Sequence, residues 1–374
     1  MKDIGGSFLK ERIRTFLRDN SANMIQDLLS IISFPAIAPQ NGGRGEWDKA
    51  IELEKLLLER GLPKPEWYVS EDPADGGVRR PNLVVKIPGR TDRRLFIVTH
   101  MDVVPAGDLS AWDMDPFKGE VVNERIYGRG VNDNGQELIA SIYAVMALQA
   151  LGIRPSREVC LCFVADEETG STYGIQHLME KDLFSPEDLV IVPDGGNSEG
   201  DFVEIAEKGI LWVTFTVKGR QCHASTPHLG LNACRVADRL SFELDMALHK
   251  AFPDEDTLFD PPFSTMEPTR REANVESINI IPGKEEFSFD CRIIPSISLD
   301  GILKVVDEKC REVSRLTRAE IDYKVLQRND PPLPTSRDSD VVTLLCKAIE
   351  DVYSFSPRIG GIGGGTCAAF FRKS

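Results

Sequence analysis

The sequence predicts an α/β fold: a large, mixed but mainly parallel sheet with helices on both faces, and a smaller α+β unit inserted in it. Three observations lead there. Short apolar runs bounded by turn residues alternate with helical patterns through the first half of the chain. Near Lys208 the pattern changes to strands that alternate apolar with polar residues. The length, 374 residues, exceeds the size at which one hydrophobic core usually stops growing, so two domains are expected.

The first helical pattern, 8–32, is interrupted near Asn20 and Ser21 and ended by Phe34-Pro35 and Ala38-Pro39, since a residue before proline is pushed out of the helical region. A second, 47–60, closes at Gly61 and leads into a polar stretch rich in Pro, Asp and Gly. Runs 83–85 and 95–98 read as buried strands. The clearest helix is 137–151, rich in Ala, Leu and Ile and closed by Gly152. Buried strands follow at 158–165 and 189–192. Beyond Lys208, strand 210–217, helix 232–250, strand 285–292, helix 300–316 and strand 320–325 suit a strand–helix–strand–strand–helix–strand order, a small sheet with helices on one face. From Pro331 the chain is expected to return to the first domain through a helix at 339–353. The expected domains are thus 1–206, 207–327 and 328–374, the last completing the first.

A net charge of −15 argues against a nucleic-acid surface, because binding phosphates needs a basic patch. No apolar run approaches the roughly 18 residues of a membrane span. The first residues mix charged with apolar side chains and lack the apolar core of a signal peptide, so a cytoplasmic protein is expected. The eight cysteines are scattered without a C-x-x-C pair. Cys160 and Cys162 are expected to point to one face of a strand as buried thiols.

Four clusters fall at or just beyond the C-terminal ends of predicted strands, where open α/β sheets place their sites. In Thr99-His100-Met101-Asp102, residues i and i+2 share a face, so Asp102 can fix the tautomer of a metal-bound His100. Gly128-Arg129-Gly130-Val131-Asn132-Asp133 is a glycine-rich turn with an aspartate able to bridge two cations; read alone, that aspartate could equally cap the following helix. Asp166-Glu167-Glu168 puts three carboxylates at a buried strand end, where they repel one another unless a cation is among them. Asp194 follows the next strand. Nitrogen and oxygen donors without thiolate suit Zn²⁺, Mn²⁺ or Co²⁺, and so many carboxylates suit a pair of ions.

The string Thr99-His100-Met101-Asp102-Val103-Val104-Pro105-Ala106-Gly107 resembles the first signature of the M20 metallopeptidases and amidohydrolases. In the same order come Gly128-Arg129-Gly130 through Asp133, Glu167-Glu168, Asp194, Cys222-His223-Ala224-Ser225, Asn279 with Ile281-Pro282-Gly283, Asp290 with Arg292, and Gly364-Gly365-Thr366. The resemblance covers almost the whole chain. It implies a zinc-exopeptidase-like domain and a ferredoxin-like lid that also dimerises the protein. It implies two Zn²⁺ per subunit, with Co²⁺ or Mn²⁺ as substitutes. His100 and Asp194 would bind one metal, Asp133 would bridge both, Glu168 would bind the second, and Glu167 would be the general base. Asp102 would orient His100. His223 would reach across a homodimer to stabilise an oxyanion. Arg292, Asn279, Gly365 and Thr366 would grip the substrate, Arg292 through its carboxylate.

The substrate class implied is an N-acyl amino acid, as for succinyl-diaminopimelate desuccinylase or acetylornithine deacetylase, with a dipeptidase or carboxypeptidase as the alternative. The sequence departs from the pattern at Asn134, where lysine is common after the bridging aspartate, and at Cys367, where aspartate is frequent. The family's last metal ligand is a histidine beyond the Gly-Gly-Thr motif, and no histidine follows Cys367 here. That implies a C-terminally truncated chain, a second site completed differently, or a chain in which only the first metal binds well; the alternative from a different class is a catalytically inactive dimeric binding relative. It also predicts an exposed apolar face near Phe370 and Phe371. The glycines 360–366 are not followed by Lys-Ser/Thr, and no G-x-S-x-G elbow is present, so neither a P-loop nor a serine hydrolase is indicated.

Overall fold

A computed structural model describes residues 4–73 and 76–373, with side chains from residue 8 onward. The chain divides into two compact units, one of residues 1–196 and 366–371, the other of 197–365 and 372–374.

The first unit runs α1 (Ile4–Asp19), α2 (Ser21–Ile32), α3 (Trp47–Glu59), β1 (Glu66–Asp72), β2 (Val78–Ile87), β3 (Arg94–His100), the short hairpin β4 (Glu120–Val122) and β5 (Arg125–Tyr127), α4 (Gln136–Ala150), β6 (Glu158–Val164), α5 (Ile175–Met179) and β7 (Leu189–Ile191). Its main sheet has the order β1-β2-β6-β3-β7. The sheet is mixed. Parallel pairing is confined to β6, β3 and β7, while β1–β2 and β2–β6 are antiparallel.

Strand alternation sorts the apolar side chains onto two faces. On one, Leu83, Val85, Ile87, Leu161 and Phe163 pack under Leu28 and Ile31 of α2, Leu53 and Leu57 of α3 and Ile142 of α4. On the other, Val84, Phe96, Val98, Cys160, Cys162 and Val164 pack with Ile175, Leu178 and Leu183. Helices therefore cover both faces, as the near-continuous apolar runs predicted. Cys160 and Cys162 are fully buried free thiols on one face.

Phe370 and Phe371, expected to be exposed, are half-buried against this second cluster, with Phe371 edge-on to Phe184 at 4.9 Å between ring centroids. The strand β1 was not legible, because its exposed residues give a polar, turn-like composition.

The second unit contains β8 (Phe202–Glu207), β9 (Gly209–Lys218), β10 (Cys222–His223), α6 (Ala233–Ala251), β11 (Thr265–Arg271), β12 (Ile280–Ile281), β13 (Lys284–Ile293), α7 (Leu299–Thr317), β14 (Glu320–Asn329), α8 (Asp340–Tyr353) and β15 (Arg358–Ile362); a last helix, α9 (Ala368–Lys373), ends the described chain. The sheet order β11-β13-β9-β14 is wholly antiparallel, the arrangement of a ferredoxin-like βαββαβ unit. Leu211, Val213, Phe215, Phe287 and Phe289 point to the side covered by Leu240 and Leu244 of α6 and Ile302 and Val306 of α7. Asn232 caps α6, its Oδ1 accepting from Arg235 N at 3.2 Å. β15 pairs in parallel with β8, and α8 covers β8 through Val342, so the segment from 328 to 362, expected to return to the first domain, clusters here with the second unit.

Candidate metal centre

The parallel strands β3, β6 and β7 bring their C-terminal ends to one edge of the sheet, with His100 in register with Val164 of β6. His100 ends β3 and is 3% exposed. Its Nε2 lies 2.8 Å from Asp133 Oδ1 and 3.5 Å from Asp194 Oδ1. His100, Asp133 and Asp194 each offer a ligand atom, and these atoms lie within 4.8 Å of one another. On the other side of the ring, Nδ1 lies 3.0 Å from the Asp102 carbonyl and 3.5 Å from Asp102 Oδ1.

Asp133 is delivered by a turn whose backbone leaves no room for larger side chains. Gly130 has φ +82°, and a Cβ there would meet Val103 Cγ1 at 2.7 Å; one at Gly135 would meet Gly130 O at 2.4 Å. The helix α4 begins at Gly135 with no side-chain cap, so Asp133 does not serve as its cap. Asn134, buried beside it, ties the strand ends together. Its Oδ1 accepts from His100 N at 3.2 Å, and its Nδ2 donates to Pro193 O at 2.9 Å and to Asp194 Oδ1 at 3.2 Å.

Glu167 and Glu168 follow β6 on a tight corner. Their backbone N–H groups donate to the two oxygens of Asp102, each at 3.0 Å. Asp102 is therefore held from both sides: by successive amides of the corner and by the His100 ring. Burial opposes its charge, but His100 and these amides keep its carboxyl below the ordinary carboxylate range.

Burial pushes the Glu167 carboxyl well above its ordinary value, and the charges of Asp194, Asp102 and Glu168 add to the rise. Burial lifts Glu168 to about 7, and Asp133 and Asp102 contribute. Burial alone would lower His100, yet bonding to Asp102, Asp133 and Asp194 carries it well above its usual range. A histidine ringed by carboxylates, in oxygen and nitrogen donors only, is a donor set suited to a hard or borderline divalent cation. A cation there supplies the positive charge that these buried carboxylates otherwise draw from protons.

The remaining predicted residues occupy other surroundings. His223, on β10, is exposed; its Nδ1 accepts from Ser225 N at 3.1 Å and sits 2.7 Å from Ser225 Oγ. Asn279 Nδ2 lies 3.4 Å from the His223 Nε2. Arg292 is held by Asp290, Nε to Oδ1 at 2.7 Å and Nη2 to Oδ2 at 3.0 Å, and donates from Nη1 to Gly363 O at 3.2 Å. Of its five N–H groups, that leaves one on each terminal nitrogen. Gly365 lies against Ile210. Thr366 is buried at the start of α9, where its Oγ1 accepts from Ala368 N at 3.1 Å.

Several residues near the centre were not read from the sequence. Lys49 is buried and donates to Met101 O at 2.8 Å, and burial lowers its ammonium to about 8 despite nearby Asp102 and Glu46. Glu137, at the start of α4, is raised to about 7, first by burial. Cys367 is buried 4.0 Å from Ser171 Oγ; burial, then the Glu167 charge, raises its thiol well above the usual range. Arg80 lies fully buried in β2 and pairs with Glu46. Lys49 and Arg80 stand apart in sequence from the motifs, so only the fold brings them near; Glu137 lies four residues after Asp133 and Cys367 directly follows Thr366.

Comparison with known proteins agrees with this geometry. Residues 96–374 match the family described as Peptidase family M20/M25/M40. An uncharacterized metallohydrolase of Methanocaldococcus jannaschii is 36% identical over 375 aligned residues, covering 95% of this chain and 90% of its own length. One of Methanococcus maripaludis is 38% identical, covering 95% and 89%. Among solved structures, the di-peptidase Dug1p of Saccharomyces cerevisiae superposes with a TM-score of 0.77 at 17% identity, over 97% of this chain and 89% of that one. Human carnosine dipeptidase 1 gives 0.77 at 18%, over 98% and 89%, and the M20 family metallo-carboxypeptidase Sso-CP2 of Sulfolobus solfataricus gives 0.71 at 20%, over 93% and 88%. At these identities the structures show a shared fold. The chain belongs to peptidase family M20/M25/M40 and is a metal-dependent hydrolase of amide or peptide bonds.

Proposed function

We propose that this chain hydrolyses the amide bond of a small N-acyl amino acid, using two divalent cations, Zn²⁺ foremost, held by His100, Asp133, Asp194 and Glu168. The observation that carries this reading is the meeting of His100 and Asp194, at and just beyond the ends of parallel strands, with Asp133 from the turn before α4, and with Glu167 and Glu168 beside them. Bound there, the cations lower the pKa of a water and polarise the scissile carbonyl. Glu167 takes a proton from the attacking water and passes it to the leaving nitrogen. Its raised proton affinity supports that role. Asp102 holds His100 in one tautomer.

In the second unit, His223 offers its Nε2 hydrogen to the developing oxyanion, acting across a homodimer. Arg292, oriented by Asp290, uses its two remaining N–H groups on the substrate carboxylate, and Asn279 and Gly365 of the same unit also contact the substrate. A second reading is a dipeptidase or carboxypeptidase, favoured by the names of the structural neighbours.

The test is a panel of N-acetyl and N-succinyl amino acids, dipeptides and longer peptides, each supplied with Zn²⁺ or Co²⁺. The proposal expects turnover of acyl amino acids to exceed that of dipeptides in kcat/KM. Preference for dipeptides moves the assignment to the second reading, and loss of the carboxylate should abolish either.

A further inference from the structure

A fully buried charge network lies behind the metal centre, on residues that, Asp166 apart, fall outside every motif noted above. Arg80, 0% exposed, forms a two-pronged pair with Glu46, Nε to Oε2 at 2.7 Å and Nη2 to Oε1 at 2.6 Å. The same Nη2 donates to Asp166 Oδ1 at 3.3 Å, and Nη1 lies 3.5 Å from Asp72 Oδ2. Glu46 Oε1 also accepts from Asp166 N at 3.3 Å. Asp166 is thus gripped at both its backbone and its side chain. It also accepts from Tyr173 N at 3.0 Å and from the Thr169 hydroxyl.

Asp166 needs this grip because its φ is +64°, a left-handed conformation that a non-glycine residue adopts only when its surroundings over-determine it. The next two amides, Glu167 N and Glu168 N, are those that clamp Asp102, and Asp102 faces His100. Hydrogen bonds from Arg80 and Glu46 to Asp166, the backbone of the corner, and the bonds of its next two amides to Asp102 thus connect the network to Asp102 and His100. Neutral packing would serve a strand interior at lower cost, since burying a guanidinium and several carboxylates is expensive unless geometry is fixed.

We infer that Glu46 and Arg80 are positioning residues: they set the backbone corner at Asp166 that aims Glu167 and Glu168 and anchors Asp102 behind His100. The inference rests on the proposed metal centre. Its consequence is that the network acts on metal affinity at a distance, without touching an ion or a substrate.

The experiment is a Co²⁺ titration of the metal-free full-length chain, followed by visible absorbance with no substrate present, for wild type, Glu46→Gln, Arg80→Lys and the double variant. Melting by circular dichroism is recorded on each. Val85→Ala serves as the control, because it removes buried packing from the same strand without touching the network. Each single variant is expected to weaken Co²⁺ binding about 10–100-fold, the range for outer-shell partners of metal ligands. The double variant should lose little more than the worse single one, because the two residues act as a unit. Val85→Ala should melt earlier and bind Co²⁺ as wild type does. Should Arg80→Lys not fold, Glu46→Gln, which preserves volume, carries the test. Unchanged Co²⁺ affinity in the folded variants, or equal weakening by Val85→Ala, overturns the positioning role. A wild-type chain that binds no Co²⁺ overturns the metal-centre reading itself, a different result.

Discussion

The two units hold their candidate residues in different ways. In the first, His100, Asp102 and Asn134 are buried, and each side chain is fixed by partners drawn from separate strand ends. In the second, His223 is exposed, with Ser225 at its Nδ1 and Asn279 3.4 Å from its Nε2, while Arg292 is braced by Asp290 on its own strand and by the Gly363 carbonyl. A buried constellation with several partners is pre-organised for an ion, whose ligands must sit within a few tenths of an ångström. Donors that are less buried suit a substrate that arrives and leaves. If the proposed roles hold, metal binding and substrate handling are separable, and mutations should divide accordingly.

The largest expected effect is at Glu167. Replacing it with Ala should reduce kcat by about 10²–10⁴-fold, the scale of general-base catalysis, while elemental analysis shows unchanged metal content. Retained turnover would remove Glu167 from that role. His223→Ala should lower kcat by about 10²–10³-fold with no change in bound metal, as for loss of one oxyanion donor; a parallel loss of metal would merge the two classes that the comparison separates. Arg292→Lys loses the planar fork and should raise KM more than it lowers kcat, roughly tenfold or more for carboxylate-bearing substrates. An unchanged KM would detach Arg292 from the substrate.

The smallest effect concerns pH. Lys49 titrates at about 8 in the folded chain against 10.5 for the free side chain. Between those values the unfolded chain binds more protons, so stability gains from this group as pH rises. In metal-free protein, the stability advantage of Lys49→Met over wild type should therefore shrink between pH 8 and 10.5, measured by urea unfolding. An advantage that stays constant with pH would place the Lys49 ammonium in a far wetter setting.

Most of the fold was legible because its signals are local. The apolar runs around Leu83, Leu95 and Val159 became the central strands, and proline and glycine marked the ends of α2 and α3. What escaped were β1, β8 and the edge strand β11, whose mixed or high exposure blurs the apolar pattern, the short β4, β5, β10 and β12, and β15, which reads as a glycine-rich loop. Pairing direction escaped as well, since β2 lies antiparallel to β6 though its residues resemble those of a parallel strand. At the candidate site, His100, Asp133 and Asp194, which the structure brings together, were legible because acidic and histidine residues stood beside apolar runs or in a glycine-rich turn. Glu46, Lys49 and Arg80 were not, for a charged residue before or within an apolar run reads as a solvated one until the tertiary structure buries it.

The central claim is that His100, Asp133, Glu168 and Asp194 hold the ions on which hydrolysis depends. It is tested most directly by measuring metal per chain and turnover of an N-acetyl amino acid before chelation, after it, and after adding back Zn²⁺ or Co²⁺, in wild type and His100→Ala. The account predicts two ions per wild-type chain, turnover lost on chelation and restored by either ion, and neither full loading nor restoration in His100→Ala. Turnover that survives chelation, or a His100→Ala chain that loads and works as wild type does, would contradict it.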